Sequence, residues 1–367
     1  VFSSFKISRF RCFKELSLDQ IDRINLIVGK NNVGKTALLE ALFLHCGGAN
    51  PELALRINFF RGIEAKKVEL TPWTESPWDS LFYNFETSST VEIVGEHSQL
   101  GKMRLKMKVL RDLEELKKLS YTLSSQISRV KEEPEIYRMQ LGRTESAKVL
   151  EFSYEQKNIS TKTYMIIDPK GVRLEPFPPA PPFPAFFQAS KIRISPGEEA
   201  ERFGQLEIKE KQDLLLKMLK IIESRLKRIF VIFQAGESVL HGDVGSGRPI
   251  PLPLMGEGMV KLTNMILHIG NAPNGVVLID EIDNGIHHSI LKKVWMAIAE
   301  AAREFKVQLF ATTHSMECIV AAHEAFSESE TYDFRLVRLE QSDDTIRAIT
   351  YDRNTLETAI SCEIEVR

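Results

Sequence analysis

Cysteine is scarce in this chain of 367 residues: there are four, Cys12, Cys46, Cys318 and Cys362. They lie far apart and form no C-x-x-C pair, which excludes a disulfide-framed fold and a structural zinc site and points to a reducing compartment. No apolar run approaches the ~18 residues that crossing a membrane requires. The first residues interleave Lys and Arg with single aromatics rather than forming a signal segment, so we expect a cytoplasmic protein with no membrane partner. Neither sign of charge is in excess: 48 Lys and Arg stand against 50 Asp and Glu, a net of −2. That argues against a generally basic nucleic-acid binder but leaves room for a local basic patch. No internal repeat is present, and the guanine-reading motif Asn-Lys-x-Asp is missing, which argues against a GTPase.

What is present is one dense motif. Gly29-Lys30-Asn31-Asn32-Val33-Gly34-Lys35-Thr36 fits the phosphate-loop pattern G-x-x-x-x-G-K-[ST] at every fixed position. The apolar run 24–28 before it reads as a buried strand, and 36–42 after it is helical in pattern. Strand, glycine loop and helix together supply the mechanism. The glycines let successive N–H groups curl toward phosphate oxygens, and the positive end of the helix faces the same anion. Lys35 adds a point charge at the β- and γ-phosphates, and the Thr36 hydroxyl can sit on Mg²⁺.

Elsewhere the patterns predict an alternation of elements. Residues 5–13 read as one edge or barrel strand and 47–80 as loop, with strands at 91–94, 149–154 and 163–167. Over 102–109 the alternation is strict: Lys102, Arg104, Lys106 and Lys108 share one face, and Met103, Leu105, Met107 and Val109 the other. The basic face is either a solvated strand surface or a DNA-binding stripe. Helical spacing covers 113–130 and ends at Pro134, and 176–184 is proline-rich and extended or turning. A charged amphipathic helix is expected over 207–228, strands at 229–233 and 238–241, and a helix at 259–269. After that, strands at 276–279 and 307–311 alternate with helices at 290–305 and 316–325, and strands at 334–339 and 345–351 close the chain. The sum is an α/β fold: an antiparallel β lobe with helical insertions, and a parallel α/β lobe.

Three further segments carry chemistry. The apolar strand 276–279 ends in Asp280-Glu281, where Asp280 can hold Mg²⁺ and Glu281 can orient or deprotonate the attacking water. The strand ending in Thr312-Thr313-His314-Ser315 puts an imidazole at the carboxyl edge of a parallel sheet, where ligands bind and where it can sense a γ-phosphate. Leu254-Met255-Gly256-Glu257-Gly258-Met259 opens a helix with glycines just before the carboxylate strand.

The order of phosphate loop, glycine motif, Asp-Glu strand and Thr-Thr-His-Ser resembles the ABC-type ATPase heads, which include the SMC, RecF and OLD-nuclease ATPases. The wording is most similar to the stand-alone prokaryotic AAA/OLD-like ATP-binding proteins, many of them encoded beside a nuclease or other effector in anti-phage systems. The resemblance spans nearly the whole chain. It implies that Lys35 and Thr36 bind phosphates and Mg²⁺, that Asp280 is the second metal-side ligand, Glu281 the catalytic base and His314 the switch histidine. Gly256, Glu257 and Gly258 take the place of the signature that meets a nucleotide on a second subunit, and Asp283 and Asn284 fall in the loop crossing that interface. Gln188 is the candidate for the glutamine that senses Mg²⁺ and water; a plain strand-end polar residue fits it as well. Arg11 is the candidate for an arginine at the adenine or α-phosphate; an exposed strand arginine fits it equally. Three departures stand out. The signature reads Met-Gly-Glu-Gly in place of Leu-Ser-Gly-Gly-Gln, the helical stretches are too short for coiled-coil arms, and the roughly fifty residues after Ser315 are too few for a nuclease domain.

The expectation is one ATPase domain over 1–367. An N-terminal lobe at 1–190 includes a helical insertion near 110–147, a helical segment runs from 191 to 228, and a C-terminal lobe from 229 to 367. The expected ligands are ATP and Mg²⁺. The expected partners are a second copy of the chain and a separate effector such as a nuclease, with DNA as the alternative.

Overall fold

The structure, a computed structural model, describes residues 1–62, 76–111, 148–168, 171–234, 236–342 and 345–367. The chain opens with a hairpin of β1 (Phe2–Phe10) and β2 (Phe13–Leu18), then β3 (Ile24–Val28) leads through the glycine loop into α1 (Lys35–Cys46). α2 (Glu52–Phe60) precedes β4 (Val91–His97), β5 (Gly101–Leu110), β6 (Lys148–Gln156), β7 (Ile159–Asp168), β8 (Gly171–Glu175) and the short β9 (Ala185–Gln188). α3 (Pro196–Ile208) and α4 (Gln212–Leu219) lead to β10 (Arg228–Gln234), β11 (Glu237–Asp243) and β12 (Ile250–Pro251). The remainder alternates α5 (Glu257–Asn271), β13 (Val276–Ile279), α6 (Leu291–Glu304), β14 (Gln308–Thr312) and α7 (Met316–Ser327), then β15 (Phe334–Ser342), β16 (Thr345–Tyr351) and α8 (Arg353–Ser361).

Among the described residues these strands form three sheets. A seven-stranded antiparallel sheet has the order β2-β1-β4-β5-β6-β7-β8, and a small one the order β10-β11-β12. The third, β16-β15-β3-β14-β13-β9, is parallel except for its closing β15–β16 hairpin. This is the anticipated α/β fold of antiparallel and parallel lobes. β3 and β9 come from the strand-rich first half yet belong to the parallel sheet, so the two layers interleave along the sequence.

The parallel sheet is buried on both faces. Ile24, Leu26 and Val28 of β3, with Val277 and Ile279 of β13, pack in one apolar core with α5, α6 and α7. Ile27, Val276, Leu278 and Phe310 pack in a second core with α1 and the antiparallel sheet. Double burial is why these strands read as unbroken apolar runs. β5 is apolar on one side only, with Met103, Leu105 and Met107 fully buried.

Several expectations are corrected. The strand expected over 5–13 is a hairpin in which Phe10 pairs with Phe13 across Arg11 and Cys12. Arg9 and Arg11 take positive φ, 58° and 48°, without the Gly, Asn or Asp that ordinarily announces such a turn. The stretch expected as loop contains α2, which begins directly after Pro51 at a helix-compatible φ of −73°. Of the helix expected over 207–228, residues 207–208 end α3 and 212–219 form α4, with a break where Glu210 has φ 56°, while 220–227 is not helical and Arg228 opens β10. The first starts earlier, at Pro196, with the Ser195 hydroxyl accepting from the Glu198 N–H. β8 was not foreseen, nor was α8, which starts at a capping box between Asp352 and Thr355. The helix expected over 113–130 lies outside the described residues.

The basic stripe is not a bare cationic face. Arg104 lies 3.3 Å from Glu92 on β4 and 3.4 Å from Glu155 on β6, and Lys106 lies 3.7 Å from Glu155. Neighbouring strands thus set acids between its bases. No helix among the described residues is long and apolar enough to cross a membrane.

Candidate active site

β3 ends inside the parallel sheet, flanked by β14 and β15, and the glycine loop leaves from that edge. The loop requires glycine at two points. Gly29 has φ +142°, and a Cβ there would lie 2.5 Å from the Leu339 carbonyl oxygen. Gly34 has φ +99°, and its Cβ would lie 2.6 Å from Cys12 Sγ and 2.8 Å from Phe13 Cζ, so the β1–β2 turn packs directly on the loop. Lys30, Asn31 and Asn32 are exposed along the loop's outer side, and Val33 is buried under it. Lys35 Nζ bends back to donate to the carbonyls of Gly29 at 2.6 Å and Lys30 at 3.0 Å. Burial lowers the Lys35 pKa, while Asp280 and Glu281 pull it upward. α1 has no side-chain cap at its N-terminus, which leaves its first N–H groups facing the loop's concavity.

Asp280 sits opposite. It follows β13, is 5% exposed, and gathers three hydroxyls. Thr36 Oγ1 donates toward its two carboxylate oxygens at 3.2 and 3.1 Å, Thr312 Oγ1 at 2.6 Å and Ser190 Oγ at 3.3 Å. The parallel register explains the convergence: Ile279 pairs with Gln188 on one side and Ala311 on the other, so all three strands end at the same level. Glu281 then takes φ +50°, a left-handed conformation that costs ~1–2 kcal/mol in a non-glycine residue. It is held there by its own N–H donating to Thr312 Oγ1 at 2.8 Å and by Lys261 Nζ donating to its carbonyl. Glu281 stays half-buried at the sheet edge, directly after Asp280.

These residues fit Mg²⁺. Thr36 and Asp280 offer hard oxygen donors within hydrogen-bond distance of each other, and Gln188 Oε1 is buried without a partner on the neighbouring strand end. Among the described residues no group of three or more His, Cys, Asp or Glu forms a metal cage. Mg²⁺ needs none, because it takes one or two carboxylates together with substrate phosphates and water.

The other candidates are placed less tightly. His314 is exposed at the end of β14, beside the Asp280 cluster in sequence register. Asp283 accepts from Thr313 Oγ1 at 2.6 Å, which binds its loop to β14, and Asn284 is exposed. Gly258 packs on that loop: a Cβ would lie 2.9 Å from the Gly285 carbonyl oxygen. Glu257 pairs with Arg193, and among the described residues no hydrogen bond or ion pair joins the 256–258 motif to the phosphate loop. The structure does not direct Arg11 into the loop either. Its guanidinium lies 2.6 Å from Glu40 and donates to Asn58 Oδ1 at 3.0 Å. Burial lowers its pKa to about 10, against the pull of Glu40.

A family model described as "AAA domain, putative AbiEii toxin, Type IV TA system" matches residues 108–319, more than half of the chain. A second, "AAA ATPase domain", matches residues 2–165. The chain belongs to the AAA ATPase family. This ATPase is 23% identical over 380 residues to a Helicobacter pylori (strain ATCC 700392 / 26695) protein named "ATP/GTP phosphatase", with 96% of both chains covered. Among solved structures it is similar to an SMC head bound to the C-winged helix domain of ScpA, at TM-score 0.49 and 12% identity over 98% of this chain and 99% of that one. It is also similar to the SMC head domain from Thermotoga maritima, at TM-score 0.43 and 11% identity over 96% and 99%.

Sequence reasoning missed four groups in the ATPase. Thr312 and Ser190 complete the Asp280 cluster, Lys261 holds the Glu281 carbonyl, and Arg61 joins Arg11 on Glu40 at 2.6 Å. Thr312 was recoverable, since two adjacent parallel strands ending in polar residues bring those ends together. The other three come from segments whose approach no local pattern encodes.

Proposed function

We propose that the ATPase works as a Mg²⁺-dependent switch in which ATP joins two copies and hydrolysis releases them, and that the switch gates a separate effector, such as a nuclease, in anti-phage defence. The observation that carries this reading is the meeting of Thr36 and Asp280 at 3.1–3.2 Å beside an enclosed glycine loop. Phosphate oxygens would displace Lys35 from the Gly29 and Lys30 carbonyls and take up the free N–H groups at the start of α1. Thr36, Asp280 and Gln188 would hold Mg²⁺, which when bound neutralises charge on the β- and γ-phosphates. Glu281 accepts the proton of the attacking water, its backbone fixed by Thr312 and Lys261. His314 is exposed on the same edge to contact the γ-phosphate.

The open glycine motif at 256–258 supports a two-copy arrangement, because its own chain does not bring it to the phosphate loop. Swinging such an equilibrium from mostly open to mostly closed takes ~5.5 kcal/mol of differential binding. Two γ-phosphates, each with several charge-assisted hydrogen bonds of ~1.5–3 kcal/mol, are sufficient. The toxin–antitoxin wording of the family description supports a role beside a partner. A DNA clamp is the weaker alternative, since acids neutralise much of the basic stripe.

Size-exclusion chromatography with light scattering on Glu281→Gln tests the switch. Mg-ATP should shift it to twice the mass; a mass indifferent to nucleotide would refute ATP-driven pairing.

A further inference from the structure

The small sheet β10-β11-β12 has two edges, and they are built differently. β12 is two residues long and carries Pro251, with Pro249 just before it. Proline has no N–H to offer, and so short a strand gives a newcomer little to pair with. β10 runs for seven residues, Arg228–Gln234, without a register shift against β11. Its middle five, Ile229-Phe230-Val231-Ile232-Phe233, are all apolar. That edge carries no lysine, proline or bulge within the run, and among the described residues no strand pairs with its outer side. Other edge strands are guarded: β2 contains Lys14 and Glu15, β8 contains Arg173 and β16 contains Arg347.

Burial shows the same asymmetry. Opposite residues share a face, so Ile229, Val231 and Phe233 lie with Gly242, Leu240 and Ser238. Leu240 is fully buried in the core beneath, whereas Val231 is 37% and Phe233 73% exposed. On the other face Phe230 and Ile232 are half-buried. Apolar surface thus continues to the β10 edge on both faces and stops there.

We propose that two copies of this chain join β10 to β10, antiparallel about Val231, whether or not nucleotide is bound. In such a pair, related by a two-fold axis normal to the sheet, opposite residues face the same way. Centring the axis on Val231 sets Ile229 against Phe233 and Phe230 against Ile232, so all five apolar residues meet apolar residues. Moving the centre one residue either way leaves an apolar residue opposite Arg228 or Gln234. The ends agree in charge as well. Each copy brings its exposed Gly236–Glu237 turn beside the exposed Lys227 of the other. The union also closes: the joined sheet has a β12 strand at both outer edges, so pairing ends at two copies. This seam is distinct from the ATP-driven contact proposed above, and with both engaged ATP would join pairs rather than single chains.

Light scattering of nucleotide-free wild-type protein should give twice the chain mass. Val231→Lys sets two like charges against each other at the axis and should return the single-chain mass with the circular dichroism unchanged. Register is read by mild oxidation in a Cys12→Ser, Cys362→Ser background, which removes the two exposed thiols. Val231→Cys should cross-link to a covalent pair, since directly opposite Cα atoms lie ~4.5–5.5 Å apart, within reach of a disulfide. Phe233→Cys should not, because its twin lies ~14 Å along the seam. A single-chain mass for the wild type overturns the proposal. So does a pair that survives Val231→Lys, or cross-linking at 233 that equals or exceeds that at 231. Should Val231→Lys fail to fold, the two cysteine variants decide alone. Every arm is run without nucleotide, so failure here is separable from failure of Mg-ATP-driven pairing in Glu281→Gln.

Discussion

Two helices of this ATPase begin at glycine turns, and they are held in opposite ways. Behind Gly34, α1 is fixed by Glu40, which is fully buried between Arg11 and Arg61, and its loop is enclosed by Cys12, Phe13 and the Leu339 carbonyl. Behind Gly256, α5 starts in the open. A Cβ on Gly256 would meet nothing within 4 Å, and the Glu257–Arg193 pair beside it is 71% and 67% exposed. The same local device is thus enclosed by distant parts of the chain at one place, and at the other is met, among the described residues, only by an exposed ion pair and the Gly285 loop. A glycine turn before a helix says that backbone is available; the surroundings decide for what.

Substitutions can break this contrast. The largest effect is expected from Lys35→Ala, which removes the charge inside the closed loop. ATP turnover should vanish, and ATP affinity by calorimetry should fall about a hundredfold, equivalent to the ~3 kcal/mol of a charge-assisted hydrogen bond. Next is Glu281→Gln: phosphate release should slow by ~10²–10⁴-fold while ATP still binds. Unchanged turnover would move the base elsewhere. The two ion pairs are compared by urea denaturation. Glu40→Gln strands buried Arg11 and should cost ~3 kcal/mol, whereas Arg193→Ala should stay within ~0.5 kcal/mol because its pair is solvated. Equal losses would erase the distinction between the two helix anchors. A separate readout comes from Gly258→Ala, whose methyl would press on the Gly285 carbonyl at a cost of ~1 kcal/mol. It should weaken nucleotide-driven pairing of Glu281→Gln severalfold and leave single-chain ATP affinity alone.

The glycine loop was legible because its strand, its glycine spacing and its helix follow one another in sequence, whereas its enclosure by Cys12, Phe13 and Leu339 was not. The Asp280 strand was legible for a related reason, since burial on both faces leaves an unbroken apolar run that ends abruptly in charge. The misses have two physical sources. Some signals were present and weak, such as Ser195-Pro196 with Glu198 and Glu199 behind it, or the Asp352–Thr355 box, both sound helix starts outweighed by polar composition. Others had no local signal. The turn at Arg11–Cys12 uses positive φ without glycine, and the helix break at Glu210 does the same. The convergence of Ser190, Thr312 and Thr36 on Asp280 depends on strand order, which periodicity does not record.

The central place of β3 has a consequence for how the protein is made. Its neighbours are β14 and β15, so residues 24–28 find their partners only in residues 309–312 and 334–338. A ribosome adding ~5–20 residues per second finishes the glycine loop early and then leaves it without its flanking strands for tens of seconds. During that interval the nascent chain carries the whole phosphate-loop sequence and cannot use it. The loop therefore gains its flanking strands only after β14 and β15 have been made, and a product that stops before β15 is expected to bind nucleotide poorly.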